Sequence, residues 1–176
     1  MDGAICECFE LRQFYGNNVE RVGCFAFSMC DNMTAVSLKK AVRIDEFAFQ
    51  MCSKLRTAAV DNVSVIGDRA FTICVSLRSL TAEKAVRVGK EAFYACASLK
   101  SVSLGNVTDI GDGAFAGCSN VTVAVSVENP KYRSADGMLV DVSEKTIIAG
   151  TNRRDIVIPE GVDAIGKDAF SGMSSV

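Results

Sequence analysis

The sequence predicts an α/β repeat solenoid, a right-handed, horseshoe-like coil of 22-residue units, each carrying a parallel strand and a short outer helical turn. Three observations carry that prediction. The dipeptide Ala-Phe recurs at Ala26-Phe27, Ala48-Phe49, Ala70-Phe71, Ala92-Phe93 and Ala114-Phe115, each time 22 residues on. A cysteine stands three positions after each Phe, at Cys30, Cys52, Cys74, Cys96 and Cys118. An aliphatic residue stands four positions before each Ala, at Val22, Ile44, Ile66, Val88 and Ile110. A unit this short cannot enclose its own apolar residues, so the copies must stack and share one core.

Within a unit the pattern assigns each element in turn. Val102-Ser103-Leu104 alternates apolar and polar, which reads as a short strand with Val102 and Leu104 inward. In-register copies of that strand stack in parallel about 4.8 Å apart. Val107 to Ile110 reads as a second short extended piece. After it, Asp112-Gly113-Ala114-Phe115-Ala116-Gly117-Cys118 predicts one helical turn that packs Phe and Cys inward. Asp112, Asp68 and Asp168 recur at its start, where a carboxylate caps a helix, so they read as caps before catalysts.

The copies extend in both directions. One period before Ala26 lie Ala4, Ile5 and Cys8, a degenerate first unit. Ala169-Phe170 is a last copy, 55 residues after Ala114, or one period plus 33. Met1 aligns with Gly23 and Val176 with Val121, so both ends cut through a repeat and no polar cap is visible. The chain therefore reads as one solenoid domain over 1–176, a piece of a longer array.

Two strings resemble the BspA-like leucine-rich repeat. They are Ile110-Gly111-Asp112-Gly113-Ala114-Phe115-Ala116-Gly117-Cys118-Ser119-Asn120-Val121 and Ile158-Pro159-Glu160-Gly161-Val162-Asp163-Ala164-Ile165-Gly166-Lys167-Asp168-Ala169-Phe170. The resemblance recurs in every unit and implies a leucine-rich-repeat fold. It further implies a surface or secreted protein of a bacterium or protozoan, with an extracellular-matrix protein or another surface protein as partner. Leucine-rich repeats bind many unrelated partners, so function carries over only as a class. An intracellular scaffold or regulatory interaction protein is the alternative.

Between residues 126 and 154 a longer segment replaces a normal unit, after a slip of about one residue past Cys118. Asn129-Pro130 and Asp136-Gly137 are turn signals. Met138 to Val142 and Thr146 to Ala149 flank Ser143-Glu144-Lys145, which predicts a hairpin. The string from Asn129 to Leu139 also resembles an insertion found between BspA-like repeats. It is either a spacer that continues the sheet or a partner-binding element, with Tyr132 and Arg133 as its candidate contacts.

Composition excludes several classes. There is no histidine, which removes the commonest general base and the commonest metal ligand together. No nucleophile–base pair or phosphate loop appears, so the sequence reads as no enzyme and implies no cofactor. A net charge of −2, without tryptophan or a long basic run, argues against nucleic acid. No apolar run approaches the roughly 18 residues of a membrane span. The stretch from Met1 to Cys8 has neither the basic start nor the apolar centre of a secretory signal.

Of eight cysteines, six including Cys8 fall on one column, where a free thiol serves as a small buried hydrophobe. Parallel stacked side chains rarely reach disulfide geometry. Cys6 and Cys24 lie off that column and read as exposed thiols, and Cys6-Glu7-Cys8 lacks the second pair that would complete a metal site. An unbridged set fits a reducing compartment and is tolerable on the surface of an anaerobe.

The inner face holds the candidate site. Residues flanking the buried strand centres form two columns of small side chains: Ala35, Thr57, Ser79 and Ser101, then Ser37, Ala59, Thr81 and Ser103. Arg12, Arg56, Arg78 and Lys100 form a basic ladder on one border, broken by Thr34, while Lys39, Asp61 and Glu83 mix signs on the other. The expected site comprises Arg56, Arg78, Lys100, Ser79, Ser101 and Ser103, a shallow groove for an extended peptide or acidic partner. Phe25 and Phe47 stand where other units place Arg69, Glu91 and Gly113, as a contact patch or as packing for a preceding segment.

Overall fold

The computed structural model describes residues 3–173 of the chain. Each coil contributes one three-residue strand to a first parallel sheet: β1 (Gln13–Tyr15), β3 (Ala35–Ser37), β5 (Thr57–Ala59), β7 (Ser79–Thr81), β9 (Ser101–Ser103) and β11 (Thr122–Ala124). A second parallel sheet takes two residues per coil, from β2 (Arg21–Val22), β4 (Arg43–Ile44), β6 (Val65–Ile66), β8 (Arg87–Val88) and β10 (Asp109–Ile110). Partners are 22 residues apart, as in Thr57 with Ser79, until β11, where Thr122 pairs Ser101 at 21. The slip read from the sequence after Cys118 is therefore real.

Strands this short follow from the burial pattern. Only the middle residue of each first-sheet strand points inward, and Val36, Ala58, Leu80, Val102 and Val123 are all buried. Leu38 and Leu104, and Val22 through Val88 in the second sheet, complete the core columns. At its centre Phe27, Phe49, Phe71, Phe93 and Phe115 stack face to face, with ring centroids 5.0–5.5 Å apart. Burying one such ring contributes about 3 kcal/mol, so the Phe column dominates the core.

The cysteine column lies beside it. Each buried thiol donates to a carbonyl one coil earlier, Cys30 to Ile5 at 3.0 Å, Cys52 to Phe27 at 3.0 Å, Cys74 to Phe49 at 3.0 Å and Cys96 to Phe71 at 3.1 Å. Cysteine is small enough for the stack and still supplies a weak donor, which valine or alanine lacks. Burial pushes the Cys30 thiol up to about 11 and raises Cys74 and Cys96 well above the ordinary range. Cys8 departs from the expectation: it is exposed, because no coil among the described residues lies beyond it. Cys6 and Cys24, expected to be exposed, are half-buried.

The outer helical turns do not form. There is no helix among the described residues, and the segments around Ala-Phe are successive turns. Two corners per turn carry positive φ, at Phe25 and Met29, Phe47 and Met51, Arg69 and Ile73, and Glu91 and Ala95. Left-handed residues cannot continue a helix. Alternate N–H groups instead cross to the next coil: Phe25 to Glu46, Phe27 to Ala48 and Met29 to Gln50. The residues between them close four-residue turns, Ala26 to Gly23, Ser28 to Phe25 and Cys30 to Phe27. The Asp caps expected there have no helix to cap, and Asp68 instead accepts the Lys90 backbone N–H of the next coil at 3.0 Å.

The insertion starts in register. Asn129 stands 22 residues after Val107, and its amide donates to the carbonyls of Val107 at 2.8 Å and Gly105 at 3.3 Å. Its carbonyl oxygen accepts the N–H groups of Lys131 and Tyr132. Tyr132, 22 after Ile110, is buried, and its hydroxyl accepts the Ile110 N–H at 3.1 Å. Chain then leaves the coil as a meander, β12 (Tyr132–Ala135), β13 (Met138–Asp141) and β14 (Thr146–Ala149), joined in parallel by β15 (Ala164–Ile165). The predicted hairpin strands correspond to β13 and β14, and β12 went unread. The last turn docks back on the stack: Gly117 donates to Ser171 at 3.0 Å, bypassing the insertion.

Candidate interaction surfaces

The first sheet offers the flattest face. Thr57, Ser79, Ser101 and Thr81 are exposed and Ala59 and Ser103 half-buried, so six small side chains cover three adjacent strands. The basic border stands on consecutive rungs. Backbone bonds run from Arg56 to Thr34, from Arg78 to Arg56, from Lys100 to Arg78 and from Thr122 to Lys100, at 2.9–3.3 Å. The three cations are exposed, on rungs whose backbones lie about 4.8 Å apart.

Their surroundings differ from those of other arginines in the chain. Arg21 and Arg43 both reach the buried carboxylate of Asp45, Arg69 meets Glu91 at 2.6 Å, and Arg87 lies near Asp68 and Asp109. Among the described residues no carboxylate lies within ion-pair distance of Arg56, Arg78 or Lys100. Stacked like charges repel, and none of the described carboxylates neutralises them. Across the face, Asp61 is exposed and Glu83 accepts the Ser103 hydroxyl. The structure thus brings Arg56, Arg78, Lys100, Ser79, Ser101 and Ser103 onto one face.

Tyr132 and Arg133 are split by the structure. Tyr132 is inside, and burial raises its phenol above the ordinary range. Arg133 is exposed beside a cavity of 400 Å³ lined by Val125, Ser126, Pro130 and Val142. Tyr132 therefore completes the coil, while Arg133 alone is open to a partner.

A second surface escaped the sequence reading except for its two aromatics. Phe25 is exposed at 43% and stacks on half-buried Phe47, with centroids 4.8 Å apart. The Arg69 guanidinium sits over the Phe47 ring at 5.7 Å. At the other corner of the same turns, Met29, Met51 and Ile73 stack in register. The available signal was an apolar residue one position before each of three cysteines.

Among the described residues no group of His, Cys, Asp or Glu is placed to hold a metal, and no helix is long and apolar enough to cross a membrane. No protein of curated function is detectably similar in sequence. By shape the chain is similar to a leucine-rich repeat protein of Bacteroides ovatus (TM-score 0.72, 21% identity), which matches 99% of this chain and 44% of its own. It is also similar to the pneumococcal vaccine antigen PcpA (TM-score 0.62, 18% identity, 93% of this chain and 53% of that one). A leucine rich cell surface protein of Faecalibacterium prausnitzii matches at TM-score 0.60 and 22% identity, over 92% of this chain and 52% of its own. The chain spans about half the length of these structures. The model of the BspA type leucine rich repeat region matches residues 2–122 in six copies. The chain belongs to the BspA type leucine-rich repeat family.

Proposed function

We propose that the chain is a non-catalytic protein-binding module of a cell-surface or secreted adhesion protein, which takes an acidic partner on its first-sheet face. The observation that carries this reading is the ladder Arg56, Arg78 and Lys100, exposed on consecutive rungs without a counter-ion among the described residues, beside a flat row of small side chains. Such a border raises the encounter rate with an anionic surface, and Ser79, Ser101 and Ser103 offer hydroxyls to an extended backbone. The family and the cell-surface protein among its structural relatives support the extracellular setting.

Binding to a panel of immobilised extracellular-matrix proteins tests the proposal, with Arg56→Glu/Arg78→Glu/Lys100→Glu beside the wild type. The variant is expected to bind an acidic partner at least about tenfold more weakly at low salt, with a flatter salt dependence. Equal binding by both proteins would move the site off this face. Absence of binding to every member of the panel would remove adhesion and leave an intracellular scaffold.

A further inference from the structure

The basic border has a spacing as well as a charge. One backbone ladder fixes its rungs, with bonds from Thr34 to Arg12, Arg56 to Thr34, Arg78 to Arg56 and Lys100 to Arg78 at 2.8–3.3 Å. Arg12, Arg56 and Lys100 therefore stand on every second rung, about 9.6 Å apart at the backbone. All three are exposed, and none has a carboxylate within ion-pair distance among the described residues. Thr34 and Arg78 occupy the rungs between them. Beside the border runs the column Thr57, Ser79 and Ser101, whose exposed hydroxyls are engaged by no other described residue. On the far border Asp61 and Glu83 are exposed and repel an acidic segment, which confines it to this column.

Resting on the proposed use of this face, we infer that its acidic partner is a polypeptide segment in the polyproline II conformation, laid across the strands with a carboxylate at every third residue. Three residues of that conformation advance about 9.3 Å, so one acidic face meets Arg12, Arg56 and Lys100 in turn with a drift of about 0.3 Å per step. A β-strand returns to one face every two residues, or about 6.8 Å, and its nearest residue misses the Arg56 rung by about 3 Å. Four α-helical turns advance about 21.6 Å, against about 19 Å over the four rungs from Arg12 to Lys100. A helix also bonds its own backbone and has no use for the hydroxyls of Thr57, Ser79 and Ser101. A polyproline II backbone has no internal hydrogen bonds, so its carbonyls are free to accept from them. The small side chains of the floor let that backbone approach closely.

The test uses two fluorescein-labelled peptides of the same glutamate and proline content, read by anisotropy with the full chain at low salt. In one a glutamate follows every two prolines; in the other the glutamates are grouped at one end. The spaced peptide is expected to bind at least about fivefold more tightly, although grouping concentrates the charge. Arg12→Gln, Arg56→Gln and Lys100→Gln should each cut that preference, whereas Arg78→Gln removes the same charge from an intervening rung and should leave it. Glycine in place of the prolines of the spaced peptide should weaken binding, because the flexible chain must be ordered on the face. Equal binding of the two peptides, or an equal effect of all four substitutions, would overturn the inference. The proposed function would still stand if Arg56→Glu/Arg78→Glu/Lys100→Glu abolished that binding. Full binding of the peptides by the triple variant would remove both readings. Binding of neither peptide would overturn the inference alone, with the matrix-protein panel deciding the function separately.

Discussion

The regular coils and the insertion after them are held together by opposite means. From Phe27 to Phe115 each stabilising feature is a column: a ring on a ring, a thiol under a carbonyl, a strand beside its copy. In the insertion the comparable features occur once. Asn129 alone satisfies two carbonyls of the preceding coil, and Tyr132 alone fills the place of an aliphatic residue and meets the Ile110 N–H. A column spreads its cost over neighbours that share one geometry, whereas a single side chain has no substitute. The comparison suggests that damage to a column is felt along the stack and damage to the insertion stays near it.

The largest expected effect comes from the middle of the column. Phe71 is fully buried, with Phe49 on one side at 5.0 Å and Phe93 on the other at 5.5 Å. Phe71→Ala removes both contacts and leaves a cavity, at a cost of about 3–5 kcal/mol. Urea unfolding should show that loss, together with separate melting of the coils on either side. A loss under about 1 kcal/mol would mean that the coils collapse onto the gap, and the column would not be the unit of stability.

Asn129→Ala comes next, at about 2–3 kcal/mol, because the carbonyls of Gly105 and Val107 lose their partner and the turn into β12 loses two acceptors. Hydrogen exchange is the measurement that matters here. Protection should fall across β12 to β14 and stay unchanged at the Phe27 to Phe93 amides. Equal loss in both regions would make the stack and the insertion one cooperative unit and break the comparison.

The same contrast explains what the sequence disclosed. A column repeats its evidence, so the period, the paired strands and the buried Phe and Cys positions were legible from spacing alone. The outer turns were not, because Gly-Asp-Gly-Ala-Phe resembles a capped helix start, and a left-handed corner occupied by Phe25, Arg69 or Glu91 leaves no compositional mark. The glycines at 113 and 117 were the one visible sign. Single residues were harder still: Tyr132 looked like an exposed aromatic of a loop, and only its distance of 22 from Ile110 could have placed it in the coil. The basic ladder was legible because it too is a column. Its lack of counter-ions among the described residues was not, since that depends on where Asp45, Glu91 and Asp109 turn their carboxylates.

The smallest expected effects sharpen the comparison within the stack. Ile73 and Gly117 hold the same corner two coils apart, at φ 59° and 76°. Ile73→Gly relieves about 1–2 kcal/mol of left-handed strain, against about 0.5–1 kcal/mol of extra chain entropy in the unfolded state. The half-buried Ile73 side chain also loses about 1 kcal/mol of burial, so the terms cancel and Tm should stay within about two degrees of the wild type. Gly117→Ala should be destabilising, by about 1–2 kcal/mol. Its new Cβ would stand 3.0 Å from the Ala95 Cα, and Gly172 packs against the Gly117 backbone from the last turn. A Gly117→Ala variant as stable as the wild type would mean that the corner is soft, and the glycines at 113 and 117 would meet no structural requirement.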